Sequence, residues 1–399
     1  MTKRRIILAA INAFLLIAFI VCIAVSNRLI APLHSQQTAR VWAGQSGERF
    51  AQVSAFIPGT VEFNTEQIFG VRDFIDSALL EASLEAAPEG RLYADAWSAE
   101  SELIVTDQRG ASVTVTAIGV GGDFFLFHPL RLRDGNYITP NDFARDRVIL
   151  DEELAWRLFG AIHVAGFELL INEIPFVVAG VVARDSDFAS SRAYTAGPGL
   201  FMSHEAMMEM TAGAAGINNY MIVMPDPITG FAVHTMIEAI GDETVHIIEN
   251  STRFSLANSF RAIRDFGERS IQNAPIAYPY WENAARFAED WLALLLVLAL
   301  VFIAFPFVCA VFYGVKLIIF GVRQIRKKIR KSIDKRDKRQ YDNYVKERDK
   351  REYDKYTDKR SDGKSLTASV PAKIPSATFT DENSEYSVTE ILYDDHENL

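Results

Sequence analysis

Two uncharged apolar runs divide this chain, and whatever lies between them must fold outside the hydrocarbon they would occupy. Ile6 to Val25 is a run of 20 residues and Trp291 to Val315 a run of 25, neither containing a charge. An α-helix needs about 20 apolar residues to cross a bilayer core about 30 Å thick. Lys3, Arg4 and Arg5 precede the first run, and the segment RQIRKKIRKSIDKR, Arg323 to Arg336, follows the second. Positive charge marks cytoplasmic flanks, so both termini are expected in the cytoplasm and residues 27–290 on the opposite side. The first run exceeds the roughly 7 to 15 apolar residues of a signal peptide and no A-x-A site follows it. It therefore reads as a retained anchor, with a cleaved signal peptide as the competing reading. Val21 is too large for the position before a lipidated Cys22. Pro306 sits inside the second run, where proline kinks a helix. Tyr278, Tyr280, Trp281 and Trp291 gather ahead of it like the aromatic belt of a membrane interface.

The charge is unevenly distributed. Residues 27–290 carry 18 Arg, no Lys and 35 Asp plus Glu, a net −17, whereas the chain from Lys316 onward is net +4. An acidic surface argues against a nucleic-acid-binding face there; arginine as the sole cation would suit bidentate pairing with carboxylates, with chance or genome composition as the preferred reading. Cys22 and Cys309 are the only cysteines and both lie in the apolar runs. The large domain thus contains no disulfide and depends on core burial, which its length can supply.

Within that domain, Glu102–Thr106 and Ala111–Val120 are β-branched runs of near-alternating polarity around the turn residues Asp107 to Gly110, a hairpin signature. Phe167–Ile171 and Ile174–Val182 predict a second hairpin around Asn172-Glu173. Between them a helix is punctuated at both ends: Asp151 as N-cap, Glu152 and Glu153 in the first turn, Arg157 in the last and Gly160 as the stop. Capping accounts for that acidic trio better than a metal or acid/base cluster. Leu154, Leu158 and Phe159 are its expected core stripe. Earlier, residues 60–86 show helical periodicity with Ile68, Val71, Ile75, Leu79 and Leu80 on one face, stopped at Ala87-Pro88-Glu89-Gly90, while residues 27–52 read as irregular. A βα unit from Tyr220 to Ile240 closes the domain. Residues 185–198 and 211–216 read as mobile loops or plain connectors, and Asn250-Ser251-Thr252 as a turn rather than a glycosylated sequon.

Asp123-Phe124-Phe125, a short strand, Gly135 before Tyr137, Leu150 before the capped helix with Leu154, Leu158, Phe159 and Gly160, then Asn172, Pro175, Phe176, Val177 and Gly180 to Val182 form a pattern of 60 residues. It resembles the periplasmic core domain of MacB-type ABC transporter permeases, within the wider FtsX-like superfamily. Weaker similarity continues through Gly199–Met210 and Val223–Gly241. The resemblance implies an α+β fold: a porter-like split βαβ ectodomain with an inserted α+β subdomain, flanked by two transmembrane helices. The expected organisation is a cytoplasmic stub and first helix over 1–26, a core domain over 27–288 with its insertion near 121–216, a second helix over 289–322, a basic cytoplasmic helix over 323–360 and a disordered acidic tail over 361–399. Relatives of this type carry four membrane helices. This sequence shows the first two and then a polar segment, without the third and fourth.

In the basic segment Ile325, Ile329 and Ile333 share a helix face, and Arg323, Arg326, Lys327, Lys328, Arg330 and Lys331 are placed to meet anionic lipid or a partner. DKRQYDNY at 337–344 is echoed by DKREYDKY at 349–356, two copies only, and mixed charge at helical spacing also fits a plain solvated helix. Catalytic patterns are missing from the sequence: its seven histidines are dispersed, and HExxH, GxSxG and Walker motifs do not occur. Gly363-Lys364-Ser365 mimics a P-loop end, but Asp358 stands where that motif needs glycine. Gly119 to Gly122 reads as a turn rather than a dinucleotide loop, and His204-Glu205 with Glu209 as a polar helix face rather than a metal site. The fold-signature residues Asp123, Phe124, Gly135, Leu154, Phe159, Gly160, Pro175, Phe176 and Gly180 report fold, not chemistry. The expectation is a non-enzymatic subunit without cofactor, in an ABC-type export or mechanotransmission complex, whose partners are an ABC ATPase subunit and a full-length FtsX-like permease. A homodimer is compatible with this, and no nucleic acid is involved. The alternative is a bitopic envelope scaffold or sensor that uses the same domain for protein binding without transport.

Overall fold

In the computed structural model the first hairpin pairs Ala94–Thr106 with Ser112–Gly122 antiparallel over eleven residue pairs. Asp107 fixes its turn, accepting from the amides of Arg109 and Ala111 at 2.9 and 2.8 Å, the local bond that makes Asp a turn residue. The second hairpin turns on Asn172 and Glu173, at φ 46° and 72°. Positive φ at both central residues matches the twist of the flanking strands. The structure describes residues 3–86, 90–107, 109–140, 142, 144–194, 199–265 and 276–361. The helix stop at 87–89, Gly363-Lys364-Ser365 and the tail beyond Ser361 lie outside the described residues.

In chain order the helices are α1 (Lys3–Ile30), α2 (Thr38–Ala43), α3 (Thr65–Glu81), α4 (Phe124–Phe127), α5 (Glu152–Phe159), α6 (Ser190–Ala193), α7 (His204–Met210), α8 (Phe231–Ile240), α9 (Leu256–Arg264) and α10 (Tyr280–Ser361). The strands are β1 (Phe50–Phe56), β2 (Ala94–Thr106), β3 (Ser112–Gly122), β4 (Leu132–Gly135), β5 (Arg147–Asp151), β6 (Glu168–Ile171), β7 (Ile174–Val182), β8 (Gly199–Ser203), β9 (Asn219–Pro225) and β10 (His246–Glu249). They form one mixed sheet in the order β10-β1-β9-β2-β3-β8-β5-β7-β4, with β6 against β2 and β7. β1-α3-β2 and β9-α8-β10 interleave as a split βαβ pair, because β9 lies between β1 and β2 and antiparallel to both. The chain from β3 to α7 is inserted between β2 and β9 and builds the other half of the sheet.

Alternation along the strands sends apolar side chains to both faces. Under α3 and α8 lie Val53, Ala55, Tyr220 and Ile222, and under α5 and α7 lie Leu103, Val115, Leu150 and Leu200. The opposite face carries Ala96, Ile118, Val120, Phe201 and Met221, covered by α4 and by the start of α10. Asp151 caps α5, accepting from the Leu154 amide at 2.6 Å, and Gly160 ends it in the left-handed conformation at φ 67°. Leu154, Ala155 and Leu158 are buried, with Phe159 only partly so and turned against Phe167. Gly135 pairs with Gly180 across β4 and β7. A Cβ on Gly135 would stand 2.1 Å from the Ala179 carbonyl oxygen, and one on Gly180 2.6 Å from that of Asn136, so the close backbone approach admits no side chain at either position.

Several local expectations need correction. α3 begins at Thr65 rather than near Thr60, where Asn64 and Gln67 form a capping box. Leu80 is 65% exposed, since it follows Leu79 by 100° of helical rotation and leaves the stripe. Residues 27–52 are not irregular: α1 runs to Ile30, a 3-10 turn covers His34–Gln36 and α2 follows. Gln36 and Gln52 are buried there through specific partners, and the segment carries no hydrophobic periodicity to read. Gly119 to Gly122 is the end of β3 and not a turn, and α4 opens directly behind it. A Cβ on Gly121 would fall 2.1 Å from the Trp97 ring. Asp185 to Tyr194 is tied down rather than loose. Asp187 accepts from the amides of Ala189 and Ser190 at the entry to α6, and Tyr194 stacks on Tyr280 at 4.1 Å.

The chain divides into two units, Met1–Tyr313 and Gly314–Leu399. In the first, α1 and the apolar part of α10 are long and apolar enough to cross a membrane by length and composition. They meet where Asn12 Nδ2 lies 3.8 Å from Cys309 Sγ, and α10 stays helical through Pro306. In the second, Ile325, Ile329 and Ile333 are exposed four residues apart along α10.

Candidate functional site

The first turns of α10 belong to the ectodomain core. Tyr280 and Trp281 are buried, and Ala284, Ala285 and Ala288 are wholly inaccessible. Small residues at that spacing let a helix approach its neighbours closely, and here Ala284 and Ala288 pack on Leu33, just after α1, and on Ala189. Trp281 meets Phe124 edge-on at 5.7 Å and lies 4.3 Å from the His128 ring. Two of the four aromatic residues expected at the membrane interface thus plug the sheet face instead. Trp291, at 38% exposure, remains outside that plug.

On its other side the same helix carries Glu282 and Glu289, two turns apart and both bound by Arg253. Arg253 Nη1 and Nη2 donate to Glu282 at 2.6 and 2.9 Å, and Nε and Nη2 donate to Glu289 at 2.9 and 3.2 Å. The remaining Nη1 proton points to Gln36 Oε1 at 3.4 Å. All five donors of the planar guanidinium are used, in the fork geometry that a lysine cannot reproduce. Arg286 Nε adds a bond to Glu282 at 2.8 Å. Burial alone would raise the Glu282 pKa, but Arg253 and then Arg286 overcome it and hold the carboxyl below the usual range.

Hydrogen bonds carry the network onward. Asn250 donates to Gln36 Oε1 at 2.8 Å and accepts from Ser54 at 2.9 Å. Gln52 accepts from the Thr38 amide at 3.0 Å and donates to the Ser35 carbonyl at 2.6 Å. Four segments distant in sequence are clamped together: the link after α1, strand β1, the turn at 250–253 and the head of α10. Buried polar groups with every partner satisfied hold a unique arrangement, whereas a broken network is costly. This joint is where the ectodomain is fastened to both apolar helices.

The sequence reading did not find Arg253, Glu282, Glu289 or Gln36. One signal was available, a pair of carboxylates seven residues apart, and so on one helix face, just ahead of an uncharged span. Of the residues it did single out, Phe124 reaches the joint through Trp281, and Asp123 pairs with Arg91 at 2.6 Å. Leu154, Phe159, Gly160, Pro175, Phe176, Gly135 and Gly180 lie in the inserted half of the sheet. Arg323, Arg326, Lys327, Lys328, Arg330 and Lys331 lie on α10 in the second unit, where all six are exposed. His204 is buried while Glu205 and Glu209 face outward, so the three do not converge. Among the described residues, no group of three or more His, Cys, Asp or Glu side chains is placed to hold a metal.

His128 sits at the core of the plug between Phe124 and Trp281, and burial pushes its pKa down to about 3. The unfolded chain takes up this proton near pH 6.5, while the folded one resists it. Stability is therefore full above about 6.5 and falls with pH by about 1.4 kcal/mol per unit until the folded pKa is reached. Between pH 6.5 and 5 this amounts to about 2 kcal/mol. Glu100 and Asp151, raised by burial, act in the opposite sense. The expected result is that denaturant titrations of the wild type and His128→Phe diverge on acidification, with the variant retaining about that much more stability at pH 5.

Residues 10–240 match the sequence profile of the MacB-like periplasmic core domain, more than half of the chain. The protein belongs to the MacB-like periplasmic core domain family. Over 134 residues it is 31% identical to the macrolide export ATP-binding/permease protein MacB of Chromobacterium violaceum, covering 33% of this chain and 20% of that one. The match thus spans about a fifth of that relative's length. Among solved structures, the periplasmic region of MacB from Actinobacillus actinomycetemcomitans aligns at 18% identity and a TM-score of 0.36, covering 55% of this chain and 94% of that one. The extracellular domain of the noncanonic ABC-type transporter YknZ from Gram-positive bacteria aligns at 15% identity and a TM-score of 0.34, covering 49% and 99%. With two apolar helices flanking it, the MacB-like domain here is part of a membrane protein with an extracytoplasmic segment.

Proposed function

We propose that this MacB-like protein is a membrane-anchored, non-catalytic subunit of an ABC-type export or mechanotransmission complex, which couples a cytoplasmic ATPase partner to its extracytoplasmic domain. The observation that carries this reading is the joint: Glu282 and Glu289, on the helix that leads into the membrane, are held by Arg253 inside the ectodomain. A displacement of that helix would pull on the sheet through bidentate ion pairs. Both termini are cytoplasmic, on the support of Lys3, Arg4 and Arg5 at one end and the basic run from Arg323 at the other. Arg323, Arg326, Lys327, Lys328, Arg330 and Lys331 contact anionic lipid or the ATPase, and a full-length FtsX-like permease supplies the remaining membrane helices.

Pull-down from native membranes in mild detergent is expected to recover an ABC ATPase together with an FtsX-like permease. Deleting residues 323–399 is expected to lose the ATPase while leaving the chain inserted. Recovery of neither partner from wild-type membranes would overturn the proposal, and intact extracytoplasmic binding without an ATPase would establish the scaffold reading instead.

A further inference from the structure

A cleft of about 60 Å³ opens on the sheet face beside the head of α10, where the cover provided by Tyr280 ends. At roughly 10 to 15 Å³ per water-sized position, it has room for a molecule of about four heavy atoms. Ile118, Leu130 and Phe201 give it an apolar wall, and Tyr194 and Tyr280 close one side. Three charged side chains line it: Glu100, Asp151 and Arg184. Asp151 is satisfied by the amides of Leu154 and Gly199 and by Arg184, and Arg184 is divided between Asp151 and Glu153. Glu100 has no such neutralisation. It occupies an inward position on β2, opposite Ile118, and no cation pairs with it among the described residues. Burial raises its pKa, as expected of a carboxylate withdrawn from water without a counter-ion.

We propose that this cleft binds a small organic ammonium ion, with Glu100 as its counter-ion and the walls of Ile118, Leu130 and Phe201 around its alkyl part. An anion would meet Glu100 at close range with Arg184 already engaged, and a neutral ligand would leave the carboxylate buried and uncompensated. The ammonium has two sources, a free amine or the headgroup of an amine-bearing lipid. Asn283 lines the cleft and Trp291 begins the apolar span eight residues later, about 12 Å along the helix.

The test is calorimetric titration of ethylammonium chloride into the full chain, held in phosphatidylglycerol nanodiscs, with sodium chloride as the reference. Saturable binding is expected, about tenfold weaker in Glu100→Gln and weaker on acidification. Thr116→Lys tethers an ammonium to a cleft residue on the adjacent strand, so it is expected to abolish the binding and raise the melting temperature. This second variant decides the matter if Glu100→Gln folds poorly. Adding phosphatidylethanolamine to the discs weakens apparent ethylammonium binding if the lipid headgroup is the occupant and leaves it unchanged if a free amine is. Absence of saturable binding, or equal binding by the wild type, Glu100→Gln and Thr116→Lys, overturns the proposal.

Discussion

Replacing Arg253 by methionine is expected to destabilise the ectodomain by about 3 to 5 kcal/mol, because it leaves Glu282 wholly buried with Arg286 as its one remaining cation among the described residues. Arg253 is itself only 4% exposed, so little water is at hand to take over its role. The size of the loss reports the broken pair rather than its net worth. Two charges withdrawn from water cost nearly what their attraction returns, and a buried pair exchanged for apolar residues of similar volume is often close to neutral. Two further variants therefore separate the effects. Arg253→Lys keeps the charge but cannot serve both carboxylates through a fork, and it is expected to retain only part of the stability. Arg253→Met combined with Glu282→Met removes both buried charges and is expected to recover most of the loss. Urea titration of the full chain in detergent, followed by tryptophan fluorescence, orders the variants. If the double variant is no more stable than the single one, the network acts through packing and not through charge. In a coupling assay the double variant also separates stability from transmission, since it folds without the bidentate link between α10 and the turn at 250–253.

The parts of this fold legible in the sequence are those whose causes are local. The α5 helix is specified by its own termini, and the hairpins by Asp107 and by Asn172-Glu173 between alternating strands; in each case the physical cause lies within a few residues of its effect. The joint is different. Gln36, Gln52, Asn250 and Arg253 are polar residues without periodicity, and each is buried only because a partner as many as 217 positions away satisfies it. Nothing local distinguishes them from exposed loop residues. The same distance effect explains the misplaced aromatic belt: Tyr280 and Trp281 have the composition of interface residues, and only the apolar face of β3 and β8 shows that they point inward. Leu80 shows a smaller version, a leucine beside a core stripe that no described residue covers. Arginine as the sole cation of the ectodomain finds partial use in the fold. Arg72 grips Asp95 through two bonds of 2.8 Å and Arg253 grips Glu282 likewise, geometry that lysine cannot supply. Why lysine is missing from the exposed surface as well has no structural explanation.

Trp281 offers the second large effect, and one that separates attachment from insertion. The indole fills the space between Phe124, His128 and Tyr280 and is 4% exposed. Its truncation to alanine removes the plug and leaves a cavity under the head of α10, at an expected cost of about 3 to 5 kcal/mol. The indole N–H has no hydrogen-bond partner among the described residues, so the contribution is packing rather than polar pairing. Trp281→Phe, which keeps an aromatic ring and discards that donor, is accordingly expected to lose much less than the alanine variant. The apolar run from Trp291 is untouched by either change, so membrane insertion should persist in both. The alanine variant should then be a chain that reaches the membrane with its ectodomain loosened from α10, detected as normal membrane abundance with faster proteolysis between residues 254 and 290. Equal protease resistance of Trp281→Ala and the wild type would show that the ion pairs of Arg253 fasten the helix without help from the plug. A loss in Trp281→Phe as large as in the alanine variant would mean that the site requires the full shape of the indole.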